Sequence, residues 1–342
     1  MAEIFICSKS YKNNLDTIAQ HIKSKEKIGI VLKDNAYGHG LLEIATLAHQ
    51  YGIKSVFVKN EFEARQISHL FQHITVLYGG ISDNSIPNIY PTIHSESQLD
   101  LIPKNTSIEL KVNIGMNRNG INPDHLEEFI QKILDKKLKL FGVFAHNGYS
   151  DDKDSSFEDH QEAFRQIKEK VKLLAKKKGF QIPRFHSLNS SGTLRSNNID
   201  DDLVRIGIAS YGYLSTDFEI PSARNLKPVA SLYADKICTH FLRKGAKIGY
   251  SGVTELQEDS YVSTYDIGYG DGLFRFNGKQ KKFFTADGFL LLPKTSMDCF
   301  SALSTQDRIC VFKDARELAE IFHTIPYEIL TNLSSFIKRT IV

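Results

Sequence analysis

Residues 28–59 read IGIVLKDNAYGHGLLEIATLAHQYGIKSVFVK. An apolar run, IGIVLK, meets a polar turn carrying two glycines. Leu41, Ile44, Ala45 and Ala48 follow at the spacing of one helix face, and a second apolar run, SVFVK, comes after them. Strand, helix and strand in this order predict a parallel pair joined by a crossover helix.

The alternation continues along the chain. Apolar runs recur at ITVLYGG (74–80), NIYPTIH (88–94), IELKVNI (108–114), LKLFGVFAH (138–146), RFHSLNS (184–190) and LVRIGIAS (203–210), making eight with the first two. They are rich in Val, Ile and Phe, as strands buried on both faces are. Helical spacing separates most of them. Leu15, Ile18 and Ile22 precede the first run, and Leu126, Phe129, Ile130 and Ile133 share one face within 124–136. A long charged helix over 156–178 turns Phe164, Ile167, Val171 and Leu174 inward. The pattern predicts the α/β class, with an N-terminal (β/α)8, TIM-like barrel over residues 8–218. The rival is an open doubly wound sheet, which shows GxGxxG after its first strand when it binds a dinucleotide. No such turn is present, and GYGDG at 268–272 has the wrong spacing and comes late.

Beyond Phe218 short β-like runs dominate until RELAEIFHTI. Residues 219–342 are expected to form a C-terminal, mainly β domain, to which a strand within residues 1–7 could add. The 342 residues carry a net charge of only +3, with no basic stripe or aromatic interleaving, so nucleic acid is not an expected partner. No apolar run approaches the length of a membrane span, and MAEIFICSKSYKNN is too short and polar for a secretory signal. Cys7, Cys238, Cys299 and Cys310 show no CxxC spacing, which fits reduced thiols in a cytoplasmic protein. No metal site is expected.

In such a barrel chemistry sits at the carboxyl ends of the strands. The first strand ends at Lys33. The fifth runs to Lys111, with Arg118 beyond it, and the sixth ends at His146. The seventh ends at Asn189 and Ser190, and the eighth carries Arg205 before Gly207 and Ile208. Loops after the last two strands commonly hold phosphate, which makes Ser190 and the Gly207 amide candidates. Tyr37 could reach the same phosphate. Lys33 alone reads two ways. It is either a strand-end lysine with its stem along apolar surface, or an amine made reactive by desolvation and neighbouring arginines. A reactive lysine and a phosphate cradle on one barrel face imply pyridoxal phosphate.

The chain resembles the alanine racemases, fold-type III pyridoxal-phosphate enzymes, along nearly its whole length. KDNAYGHG (33–40) is similar to their cofactor-lysine motif, and KVNIGMNRNG (111–120) to their KxDTGMGRxG stretch. FGVFAH (141–146), LNSSG (188–192), LVRIGIASYG (203–212), IGYGDGL (267–273) and TSMDCF (295–300) resemble further motifs of the family in the same order. Four places depart from it. Asn113 replaces an Asp, Asn147-Gly148 a Phe-Ala, and Pro293-Lys294 a Gly-Arg, while Ser335 aligns with a phosphate-binding Tyr.

The resemblance implies interconversion of L- and D-alanine, supplying D-alanine for peptidoglycan. Proton transfer on both faces of a planar intermediate needs two bases. The resemblance assigns Lys33 to the D-alanine face and Tyr269 to the L-alanine face. A free phenol has a pKa of about 10, so Tyr269 needs positive charge nearby, expected through a chain Arg205–His146–Tyr269. Arg205 would face the cofactor's ring nitrogen without protonating it. Arg118 would pair with the substrate carboxylate beside Met297, and Lys111 would be carbamylated or remain an unmodified structural lysine. Taken singly, Tyr269 reads as a turn aromatic, Arg205 as a strand-end salt bridge and His146 as a core histidine. Because Tyr269 and Met297 lie in the β domain, the family's plan implies a homodimer with composite sites. Alternatives are a racemase of another small amino acid such as serine, or a decarboxylase of the same plan. The latter uses a Cys and an Asp where GYGDG has Tyr269. A non-catalytic pyridoxal-phosphate carrier would lack residues 219–342.

Overall fold

The computed structural model describes residues 1–342. It forms two compact units. One comprises Lys12–Ala36 and Ile44–Lys227, the other Met1–Tyr11, Tyr37–Glu43 and Pro228–Val342. Strands are numbered from the N-terminus, and β1 (Glu3–Ile6) belongs to the second unit.

The first unit is built on β2 (Ile28–Val31), β3 (Ser55–Val58), β4 (His73–Val76), β5 (Ile89–Ile93), β6 (Ser107–Lys111), β7 (Lys139–Phe144), β8 (Arg184–His186) and β9 (Val204–Ile206). All eight apolar runs form these strands. They pair in parallel in the order β8-β7-β6-β5-β4-β3-β2-β9, a nearly closed barrel. No ladder joins β8 to β9. Two backbone hydrogen bonds cross the seam instead, from Asp202 N–H to Phe185 O at 2.9 Å and from Arg205 N–H to Leu188 O at 2.9 Å. Every residue of β2 and β3 is buried, which is why those runs are apolar on both faces. Gly29 is required by packing, since a Cβ there would lie 2.8 Å from the Phe57 ring.

The helices cover the barrel as their periodicity predicts. Leu126, Phe129, Ile130 and Ile133 of helix Leu126–Asp135 are buried, as are Phe164, Ile167, Val171 and Leu174 of helix Ser156–Lys178. Both faces join one core with Ile108, Leu110, Val143 and Phe185 of the strands. Helix Ser156–Lys178 stops where Gly179 turns left-handed (φ 74) and its N–H returns to Ala175 O. In helix Ser8–Ile22, Leu15 and Ile18 are buried and Ile22 is half-buried.

The second unit is a mainly antiparallel sheet around β10 (Ala230–Leu242). This strand pairs with Ser260–Tyr265, with Arg308–Phe312 and with β1. β1 also pairs in parallel with Lys338–Ile341, so both chain ends are held in one sheet. No helix is long and apolar enough to cross a membrane.

Candidate active site

Lys33 directly follows β2 and begins an unusual turn. Asp34, Asn35, Ala36 and Tyr37 take φ values of 53°, 54°, 52° and 53°. Four successive non-glycine residues in the left-handed region cost about 1–2 kcal/mol each, so the surroundings must impose this turn. Ala36 N–H donates to Leu32 O at 2.8 Å. Asn35 N–H donates to Glu63 Oε1 at 3.2 Å, while Glu63 Oε2 accepts from Lys59 N–H at 2.7 Å. Glu63, itself capped by Asn60, thereby ties the turn to the next helix.

Cations gather where the barrel strands end. Burial and the nearby Arg118 push the Lys33 amine below its ordinary range, against an opposing pull from Asp34. Lys111 closes β6, is buried, and donates to Asn119 Oδ1. Burial first, then Arg118, Arg205 and Lys33, bring it down to about 7. Arg118 is exposed on the loop after β6. Asn113 shapes that loop, accepting from Gly115 N–H at 3.2 Å and from Asn117 N–H at 3.0 Å. Beyond β7, Asn147 is buried and donates to Phe157 O at 2.9 Å. The space a side chain on Gly148 would take is filled by Met116, whose Cγ lies 2.8 Å from the position of a Cβ.

Arg205 is clamped from below. Nη1 donates to His186 Nδ1 at 2.6 Å and to His186 O at 3.0 Å, and Nη2 donates to Ala145 O at 2.7 Å and Ser187 O at 3.0 Å. The expected link from Arg205 to His146 is therefore replaced by one to His186. Register explains the exchange: Phe144, the last residue of β7, pairs with His186, and His146 lies two residues beyond. His146 also fails as a source of positive charge. Burial and the charges of Arg205, Arg118, Lys111 and Lys33 hold its imidazole neutral, well below its ordinary range.

His186 leads deeper. Its Nε2 lies 3.1 Å from Glu109 Oε2, and its ring stacks on Phe144 with centroids 4.9 Å apart. Burial brings its pKa down to about 4, so it is neutral at physiological pH. Glu109 is fully buried, yet Arg184 and His186 hold its carboxyl down at about 2, so it is charged. Sequence reading singled out neither Glu109, nor Arg184, nor His186. A signal existed, because Glu109 with Lys111 and Arg184 with His186 sit two apart on otherwise apolar strands, sharing a face.

Beside the seam, Asn189 caps helix Ser190–Arg195 through Gly192 N–H at 2.9 Å. The Ser190 hydroxyl accepts from the amides of Gly207 at 3.1 Å and Ala209 at 3.3 Å. Ile208 is buried next to them. Lys33, Lys111, Arg118, His146, Asn189, Ser190, Arg205, Gly207 and Ile208 thus all belong to the barrel unit.

Tyr37, Tyr269 and Met297 belong to the other unit. There the Tyr37 and Tyr327 rings have centroids 5.8 Å apart. Tyr269 N–H donates to Ser296 O at 3.1 Å and Gly270 N–H to Met297 O at 2.6 Å, so the GYGDG and TSMDC loops lie side by side. A Cβ on Gly268 would fall 2.3 Å from Met297 O, which explains the glycine. Tyr269 is 39% exposed and Met297 61%. Arg275, not anticipated, places its guanidinium 5.7 Å from the centre of the Tyr269 ring. Ser335 is exposed.

Comparison with known proteins points to one family along the whole chain. Residues 6–215 match the family described as "Alanine racemase, N-terminal domain", and residues 229–341 match "Alanine racemase, C-terminal domain". An alanine racemase of Campylobacter jejuni subsp. doylei is 40% identical over 342 residues, covering all of both chains. One from Campylobacter concisus is 38% identical over 343 residues, again covering both fully. Among solved structures, alanine racemase of Clostridium difficile 630 has a TM-score of 0.86 at 21% identity, covering 100% of this chain and 95% of that one. The Bartonella henselae alanine racemase with covalently bound pyridoxal phosphate has a TM-score of 0.81 at 23% identity, covering 100% and 99%. Matches of this length to both family domains, with relatives this similar end to end, establish that the chain belongs to the alanine racemase family.

Proposed function

We propose that the chain interconverts L- and D-alanine with pyridoxal phosphate, by proton transfer between two bases, supplying D-alanine for peptidoglycan in the cytoplasm. One observation carries the reading. Burial first, and then the mutual repulsion of cations drawn from Lys33, Lys111, Arg118 and Arg205, depress the pKa values of Lys33, Lys111 and His146. Such a cluster calls for anions, and a phosphate and a substrate carboxylate supply them.

The chain's groups fit the cofactor. Two amides already converge on Ser190 Oγ, a donor set suited to a phosphate. Ser190, Gly207, Ile208, Asn189 and Tyr37 would hold it, with His146 beside the ring. When bound, the cofactor supplies an aldehyde for the substrate amine and a ring that delocalises charge left on the α-carbon. Lys33, with its depressed pKa, is the amine that would anchor it and then move the proton on the D-alanine side. Arg205 would donate to the ring nitrogen and keep its own proton. Arg118 and Met297 would take the substrate carboxylate. Lys111, at about 7, has the neutral amine that carbon dioxide needs, and its carbamate would orient Arg118. Tyr269 would move the proton on the L-alanine side. Arg275 lies beside its ring, and His146, held neutral, would bring it no charge.

The barrel of one subunit would meet the β domain of a second in a homodimer. The exposure of Tyr269 and Met297, and of Phe241 and Tyr261 on the same sheet unit, supports this. The test is direct. Purified protein should be yellow, lose that colour with borohydride, and make D-alanine from L-alanine. Lys33→Ala should remove colour and activity, whereas Tyr269→Phe should remove activity and keep the colour. Activity should fall on dilution through dimer dissociation. A colourless protein, or a fully active monomer, would defeat the corresponding part of the reading.

A further inference from the structure

We propose that Glu109 is a positioning residue for the reaction, fixing through His186 both the orientation of Arg205 and its role as a donor. The inference rests on the reading that Arg205 faces the cofactor ring.

The two oxygens of Glu109 are divided between two partners. Oε1 accepts from Arg184, at 2.7 Å from Nε and 2.5 Å from Nη2, and Oε2 faces His186 Nε2 at 3.1 Å. Arg184 is itself fixed to Ser55 Oγ at 3.1 Å and Thr75 Oγ1 at 3.0 Å. Four strands of the barrel, β3, β4, β6 and β8, thus hold one carboxylate in place. A carboxylate only accepts and a guanidinium only donates. Between them, a neutral His186 has one consistent arrangement: Nε2–H donates to Glu109, and Nδ1 accepts from Arg205 Nη1. The imidazole is packed between Phe144, stacked, and Phe57, edge-on at 5.2 Å, so it cannot swing aside.

The carboxylate is the element that breaks the symmetry. In Glu109→Gln the oxygen stays with Arg184, and the amide presents N–H toward His186 Nε2. Two donors then face each other unless His186 moves its proton to Nδ1. That proton would confront Arg205 Nη1, and the strain would pass to the guanidinium. The conflict reaches Arg205 although residue 109 touches neither cofactor nor substrate. A merely structural Glu109 would need only Arg184.

The test uses protein labelled with 15N-histidine, with and without cofactor, and the His186 signals identified by their loss in His186→Gln. Wild type should show Nε2–H and a nitrogen accepting at Nδ1, with no protonation until the pH nears about 4. Glu109→Gln should switch the tautomer and lower kcat about tenfold to a hundredfold at nearly constant KM, the loss expected for one charge-assisted hydrogen bond. If that variant fails to fold because the Arg184 charge is left unpaired, Glu109→Gln with Arg184→Lys keeps a donor on the amide oxygen while the buried amine can shed its charge, and should give the same switch. A wild-type Nδ1–H tautomer overturns the proposal, as does an unchanged tautomer or unchanged kcat in a folded variant. If wild type proves not to racemise alanine, the reading of function fails separately. The pH midpoint of the bound cofactor's absorbance then decides: a shift in Glu109→Gln supports the proposal and coincidence with wild type overturns it.

Discussion

Replacing Lys111 by Met should make the unliganded protein more stable in acid, and the gain should fade in base. Burial and three neighbouring cations lower this amine from 10.5 to about 7, a shift worth about 5 kcal/mol against its charged form. Below pH 7 the folded chain carries that full penalty. The unfolded lysine keeps its proton up to 10.5, so between these values the unfolded state binds more protons and wild-type stability rises with pH. Loss of the bond to Asn119, a half-buried residue that water can reach, returns about 1–2 kcal/mol. Lys111→Met should therefore gain about 3 kcal/mol at pH 6 and be about 1 kcal/mol less stable than wild type near pH 10.5. Urea unfolding followed by circular dichroism in carbon-dioxide-free buffer measures it as a shift in midpoint at constant slope. Parallel stability curves for the two proteins across this range, or a less stable variant at pH 6, would refute the reasoning. Added bicarbonate near neutral pH should stabilise wild type alone, through a carbamate on Lys111.

Other substitutions probe different parts of the molecule. Gly38→Ala would force a Cβ to 1.9 Å from Leu330 O at φ 81°, so it should cost several kcal/mol (about 2–4) and lower the thermal midpoint. Lys168→Met removes the partner of buried Asp201, 3.3 Å away, and should destabilise the barrel by about 3–5 kcal/mol in denaturant titrations. Asp201 holds Ser187 N–H at 2.6 Å, and Ser187 O accepts from Arg205, so the same variant should also disturb Arg205 and weaken cofactor binding in spectroscopic titration. Asn113→Asp should change little, because both side chains offer the oxygen that accepts from Gly115 and Asn117, and Asn117 need only turn its amide to donate where it now accepts from Asn113 Nδ2.

The barrel was legible because each strand is a short Val, Ile and Phe run and each covering helix keeps its spacing. Lys33 was legible because a lysine at the end of such a run stands out. The left-handed turn after it was not: Asp and Asn tolerate that region, but nothing in Ala36 or Tyr37 announces it. The partner of Arg205 was misread for a related reason. His146 ends one apolar run and His186 lies inside another, and only the pairing of Phe144 with His186 decides which one reaches the guanidinium. Glu109 and Arg184 are not legible in the same way, because a lone polar residue inside a strand gives no sign that it faces the barrel's interior rather than a covering helix. Arg275 gave no periodic signal at all, since it lies in a loop whose path depends on distant contacts.

The open joint between β8 and β9 has a bearing on how the barrel breathes. Ser190 follows one of these strands and Gly207 the other, so an anion gripped by both would act as a rivet across the weakest line of the cylinder. Stripping the cofactor should therefore quicken amide exchange first at Asp202 and Arg205, while β2 and β3, laddered on both sides, stay protected.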